Sequence, residues 1–209
     1  MSWPFLASVL ALIPSAGVGA KDAYFPADLK THHVSCNVGP PGSNIPVLSD
    51  LEQRWYSGQL RAAKEPSLYL QARHSPRPRG KSLRFIWLRS FHVPIIVRVD
   101  GLGTKSGRLV AKELTGAGGY APGSIRKQLD RRLSHSEQSA IELSLLNTQV
   151  LKSPPKLCEL GMDGSQWIIE GVDSGGYHFV DRWSPESGSV RDLGLALLRL
   201  TGWDFKPIY

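Results

Sequence analysis

The stretch Asp163–Glu186, "DGSQWIIEGVDSGGYHFVDRWSPE", decides how this chain is read. "SQWIIEGVD" and "YHFVDRW" are strand-like runs rich in β-branched and aromatic residues, and "DSGG" between them supplies the glycines a tight turn requires. With Ser174-Gly175 as a two-residue loop, Val172 faces Tyr177, Glu170 faces Phe179, Ile168 faces Asp181 and Trp167 faces Arg182. This places Glu170 and Asp181 diagonally on one face. Two close carboxylates can divide acid and base roles, because mutual repulsion separates their pKa values. The same two groups can instead pair with basic residues of the next strands, Arg84 or Arg98, and the chain has 25 Lys and Arg against 18 Asp and Glu. Structural pairing is the favoured reading. His178 falls on the face opposite Asp181, so a triad with Ser184 fails on geometry, and no nucleophile elbow surrounds Ser184. Trp167 opposite Arg182 predicts a cation–π pair. The hairpin reads as a packed element with a polar outer face rather than as an active site.

Upstream, "SLRFIWLRSF", "VPIIVRVD" and "GRLVAKELT" predict three strands joined by short turns, "GLGTKSG" among them, and "IRKQLDRRL" predicts a fourth. Pro94 belongs at a strand start or edge, since it donates no ladder hydrogen bond. Ser67–Ala72 is expected to be a further short strand. Ser49 with Glu52, and Ser134 with Glu137, have capping-box spacing and predict helices over roughly 50–63 and from 135 onward. Val190, Leu193, Leu197 and Leu200 form the apolar stripe of a last helix, which Gly202 can cap. Strands following strands through short turns predict an α+β domain: an antiparallel meander of about six strands, with two or three helices packed on one face.

The first 20 residues carry no charged side chain. Phe5–Ile13 is apolar, Pro14 breaks the run, and Val18 and Ala20 suit cleavage before Lys21. Residues 1–20 therefore read as a signal peptide, although a basic residue at the start is missing. The run is shorter than the about 20 residues a membrane span needs, and no other stretch approaches that length, so no span is expected after cleavage. Residues 21–48, with "NVGPPGSNIP", read as an irregular arm, and 49–209 as one domain. In an oxidising compartment Cys36 and Cys158 are expected to pair.

The chain of 209 residues has a net charge of +7, which favours anionic partners. The basic stretch "RHSPRPRGK" has no aromatic interleaved for base stacking and reads as a solvated loop, so nucleic acid is an unlikely partner. "THHVSC" offers His32, His33 and Cys36, but no second cluster has zinc spacing, and no metal or cofactor is expected. "GAGGYAPG" lacks the ending of a phosphate-binding loop. Neither cysteine sits in a redox pair.

Three stretches, "WYSGQLRAAKEPSLY", "LRFIWLRSFHVPIIVRV…GAGGYAPG" and "DGSQWIIEGVDSGGYHFVDRWSPESGSVRDLGLALLRLTG", together resemble a family of small exported proteins of Gram-negative bacteria. The resemblance spans roughly residues 50–203. It implies periplasmic or secreted localisation and a specific role for the "GAGGY" loop. It implies no activity and so assigns no functional residue.

The leading expectation is a non-catalytic exported protein that binds an envelope protein or a small ligand through one sheet face. Trp87, Trp167, Arg182 and Tyr120 are the candidate binding residues, with Phe91 and Trp183 beside them in an aromatic patch. The alternative is a hydrolase-like enzyme using Glu170 and Asp181, assisted by Tyr120 or Arg182. A nucleic-acid binder acting through basic surface is the second alternative.

Overall fold

A computed structural model of the chain describes residues 23–36, 39–75, 78–159 and 161–209. The expected signal peptide lies outside the described residues.

The fold is α+β. Six antiparallel strands, β3 (Lys81–Arg89), β4 (Ile95–Leu102), β5 (Arg108–Leu114), β6 (Ile125–Arg132), β7 (Ser165–Asp173) and β8 (Gly176–Trp183), form one sheet in the order β6-β5-β4-β3-β7-β8. The chain runs outward from β3 as a meander to β6. It then returns through helix α3 (His135–Thr148) to place the β7–β8 hairpin on the other edge of β3. The hairpin has the register its turn predicts, with Ile168 opposite Asp181, Glu170 opposite Phe179 and Trp167 opposite Arg182.

The expectation that the helices share one face does not hold. Helices α1 (Asp50–Ala62) and α2 (Leu68–His74) cover one face, and α3 and α4 (Ser189–Leu200) cover the other. The cause lies in β3, which is apolar on both sides. Ile86 and Leu88 pack with Tyr56 and Leu60 of α1, while Phe85 and Trp87 pack with Leu193 and Leu197 of α4. A strand apolar on both faces needs cover on both. Gly194 lets α4 approach closely, since a Cβ there would lie 2.8 Å from the Trp167 ring.

Both predicted capping boxes form, at Ser49/Glu52 and at Ser134/Glu137. The strand expected at 67–72 is instead α2: the Ser67 hydroxyl accepts from the Leu70 N–H and starts a helical turn. The arm is also more regular than its composition suggests. It holds a 3-10 turn at Ala27–Lys30 and a two-stranded ribbon, β1 (His33–Ser35) with β2 (Asn44–Pro46). The Cys36–Cys158 disulfide forms. No helix of the described residues is long and apolar enough to cross a membrane.

Candidate functional site

Under the α1–α2 face lies a buried layer of charge. Glu170 accepts from Arg84 Nε (2.7 Å) and from the Tyr177 hydroxyl (2.8 Å). Glu65, in the connection from α1 to α2, accepts from Arg98 Nε (2.7 Å) and Lys112 Nζ (2.6 Å). Burial raises the pKa of Glu170 despite Arg84 beside it. Burial also works against the charge of Glu65, but Arg98, Lys112 and Arg84 hold its carboxyl below the usual range. Glu170 is wholly enclosed. Both its oxygens are taken, by Arg84 and Tyr177, which fits the favoured reading of structural pairing and speaks against the alternative in which Glu170 shares acid–base work with Asp181.

Asp181 is different. It lies on the same sheet face, nearer the end of β8, and forms the floor of a pocket of about 250 Å³ lined also by Ile45, Pro46, Glu52, Lys156, Glu159 and Trp183. Oδ2 accepts from the Tyr56 hydroxyl at 3.1 Å and lies 3.8 Å from Lys156 Nζ. Oδ1 is buried and has no hydrogen-bond partner. Burial pushes the Asp181 pKa up to about 7; the Lys156 ammonium opposes this and the Glu52 carboxylate adds to it.

Local sequence explains the walls. The capping box fixes Glu52, whose Oε2 accepts from the Ser49 N–H (2.8 Å) while its Oε1 holds Lys156. Lys156 reaches β8 because its segment continues the sheet edge, with the Asp181 N–H donating to the Pro155 carbonyl (2.8 Å). Two positions on, Cys158 is tied to Cys36, beside the ribbon that carries Ile45 and Pro46. The disulfide thus binds two walls of the pocket to each other. Glu159 is anchored on the rim by the Trp183 N–H (2.8 Å).

The other candidates separate. Trp87 and Trp167 are 0% exposed and offer no binding surface, which corrects the expected aromatic sheet face. Both indole N–H groups donate to the main-chain oxygen of Tyr209, at 3.2 and 3.0 Å, and Phe205 packs edge-on against Trp87. Arg182 stands opposite Trp167 but is buried, and its guanidinium donates to the carbonyls of Asp181 and Pro154. The cation over the Trp167 ring is Arg191, at 5.5 Å. Ser184 is tied to Ser165, whose N–H it accepts at 2.8 Å, and His178 Nε2 lies 2.9 Å from Asp173. Histidines 32 and 33 are exposed, and the described residues contain no group of three or more potential metal ligands.

Of the expected aromatic patch, Phe91 and Tyr120 are exposed, at 60% and 65%, with rings 6.4 Å apart. Tyr120 sits on the "GAGGY" loop, which packs tightly on the end of β3. A Cβ on Gly118 would lie 2.5 Å from the Arg89 backbone nitrogen, and the Gly118 carbonyl accepts from Trp55 Nε1 of α1 at 2.6 Å. Much of the basic edge around β6 is already paired: Arg108 with Asp130, Arg126 with Glu113 and Arg131 with Glu137. Sequence reasoning singled out Asp181 as a site residue, read Glu52 only as a helix cap, and did not reach Lys156 or Glu159. The chain matches no protein-family model, and no curated protein matches it.

Proposed function

We propose that this chain is an exported, non-catalytic binding module, and that its ligand site is the pocket over Asp181 rather than a sheet face. One observation carries the reading: a buried carboxylate, one of whose oxygens has no partner, lines a pocket whose walls are joined by a disulfide. A buried polar atom without a partner is costly, and a ligand donor offsets that cost. A disulfide also suits the oxidising compartment that the N-terminal stretch and the family resemblance imply. Helices cover both faces of the sheet at β3, and among the pockets of the described residues the one over Asp181 is lined by a residue with a buried carboxylate oxygen that has no partner.

Two measurements on protein taken from the periplasm of a Gram-negative host test this. Intact mass is expected to begin at Lys21 and to be lower by two hydrogens for the bridge. A full-length cytoplasmic protein with two free thiols would overturn export. A small-molecule extract of the host is expected to raise the melting temperature of the wild-type chain more than that of Asp181→Asn. Equal or absent shifts in both would overturn the binding site.

A further inference from the structure

We infer that the pocket over Asp181 takes a small organic cation bearing N–H donors, a protonated primary amine or a guanidinium, with Asp181 at the floor and Glu159 at the rim as its counter-charges. The inference rests on the reading of this pocket as the ligand site. On a chain of net charge +7, the pocket has the opposite balance: Glu52, Glu159 and Asp181 line it against one cation, Lys156. Lys156 is held by Glu52 and stands 3.8 Å from Asp181, beyond hydrogen-bond reach. Lys156 is thus shared between Glu52 and Asp181, and once Asp181 is ionised the three acids outnumber it.

The hydrogen-bond inventory points the same way. An ionised carboxylate only accepts, and Asp181 Oδ1 has nothing to accept from. The α1 N-terminus does not reverse this preference. Its Glu52 N–H is taken by the Ser49 hydroxyl, and the Ser49 N–H by Glu52 itself. An anionic ligand would thus meet this excess of acids and a helix end whose cap is already filled. The volume, about 250 Å³, holds the equivalent of about eight waters, enough for a short alkylammonium or alkylguanidinium group. The groups facing Asp181 are Tyr56 and Glu52 from α1, Lys156 from the segment beside β8, and its neighbour Arg182. The competent state is the ionised one, so binding of a cation is expected to release a proton.

Four probes of matched length test the class by amide and indole shifts of the full disulfide-bonded chain in NMR titrations: butylammonium, propylguanidinium, butanol and butyrate. The cations are expected to give saturable shifts at Glu159, Asp181 and Trp183, with affinity about tenfold higher at pH 8 than at pH 6 as the ionised fraction grows. Asp181→Asn is expected to abolish this binding and its pH dependence, and Glu159→Gln, at an exposed position, to weaken binding without affecting the fold. A short arginine-containing peptide that binds more tightly than propylguanidinium assigns the cation to a protein partner, and a weaker one assigns it to a free metabolite. If butanol or butyrate shifts the same resonances as strongly, the pocket remains a ligand site but the cation class is wrong. If no probe shifts them, the site and its class both fall.

Discussion

Arg84 Nε stands 2.7 Å from Glu170 Oε2 across the β3–β7 ladder, and neither side chain is reached by solvent. Arg84 also donates to the Pro66 carbonyl at 2.5 Å and lies 3.8 Å from Glu65, so it ties the α1–α2 connection to the centre of the sheet. Removing one member of a buried ion pair leaves the other charge uncompensated. Arg84→Met is therefore expected to lower unfolding free energy by about 3–5 kcal/mol. The double variant Arg84→Met/Glu170→Leu should recover part of the loss. Urea denaturation of the three chains checks this, and a double variant less stable than the single one would contradict it.

Asp181 provides a pH test. In the folded chain it keeps its proton to about pH 7, because it is buried, whereas its ordinary value is 3.8. Between these values the folded state binds more protons than the unfolded state, so stability falls as pH rises. The contribution is complete below pH 3.8 and lost by about pH 7. Asp181→Asn, neutral throughout, is expected to match the wild type near pH 4 and to exceed it at pH 8 by up to about 4 kcal/mol. Parallel denaturation curves with the same offset at both pH values would show that Asp181 is not held protonated.

The Cys36–Cys158 bridge closes a span of 122 residues. On the chain-entropy account a loop of this length contributes about 4–5 kcal/mol. Cys36→Ser/Cys158→Ser should show that loss in chemical denaturation. The same variant should lose ligand response at the Asp181 pocket, because two of its walls are no longer joined. A variant that keeps full ligand response while losing stability would separate the bridge from the site.

Gly118 has no room for a side chain. Its Cβ would meet the backbone of Leu88 and Arg89, which cannot move without breaking the β3–β7 ladder. Gly118→Ala is expected to destabilise by about 1–3 kcal/mol, as overpacking does. It should also weaken the bond from Trp55, visible as a change in that residue's fluorescence. An unchanged spectrum and melting temperature would show that the loop yields easily.

The parts of the fold that sequence conveys are those fixed by neighbours in the chain. The β7–β8 register follows from Ser174-Gly175 and the alternation around it, and α1 and α3 from their capping boxes. Helix α2 escaped because "SLYLQA" mixes apolar and aromatic residues at a spacing that also suits a strand. What decides it is the Ser67 cap together with burial of Leu68 and the Tyr69–Tyr177 contact. The cover on both faces was present in β3 itself, where Ile86 and Leu88 are as apolar as Phe85 and Trp87, but a meander alone does not say which face the helices take. Trp87 and Trp167 suggested an exposed patch because an indole gives no sign of its partner. That partner is the main-chain oxygen of Tyr209, far along the chain. The pocket was the least legible element. Asp181 gains its character from Lys156, Glu52 and the cross-linked arm, which only the tertiary structure brings together.

The strand order also governs the time course of synthesis. β3 finds its partner β4 at once, but its other edge waits for β7, which follows β4, β5, β6 and α3 in the chain. Until then a strand with apolar side chains on both faces presents an open ladder to every other nascent chain nearby. A holding chaperone that engages "LRFIWL" until the last quarter of the protein has been made would protect it, and the hairpin that completes the sheet would also displace the chaperone.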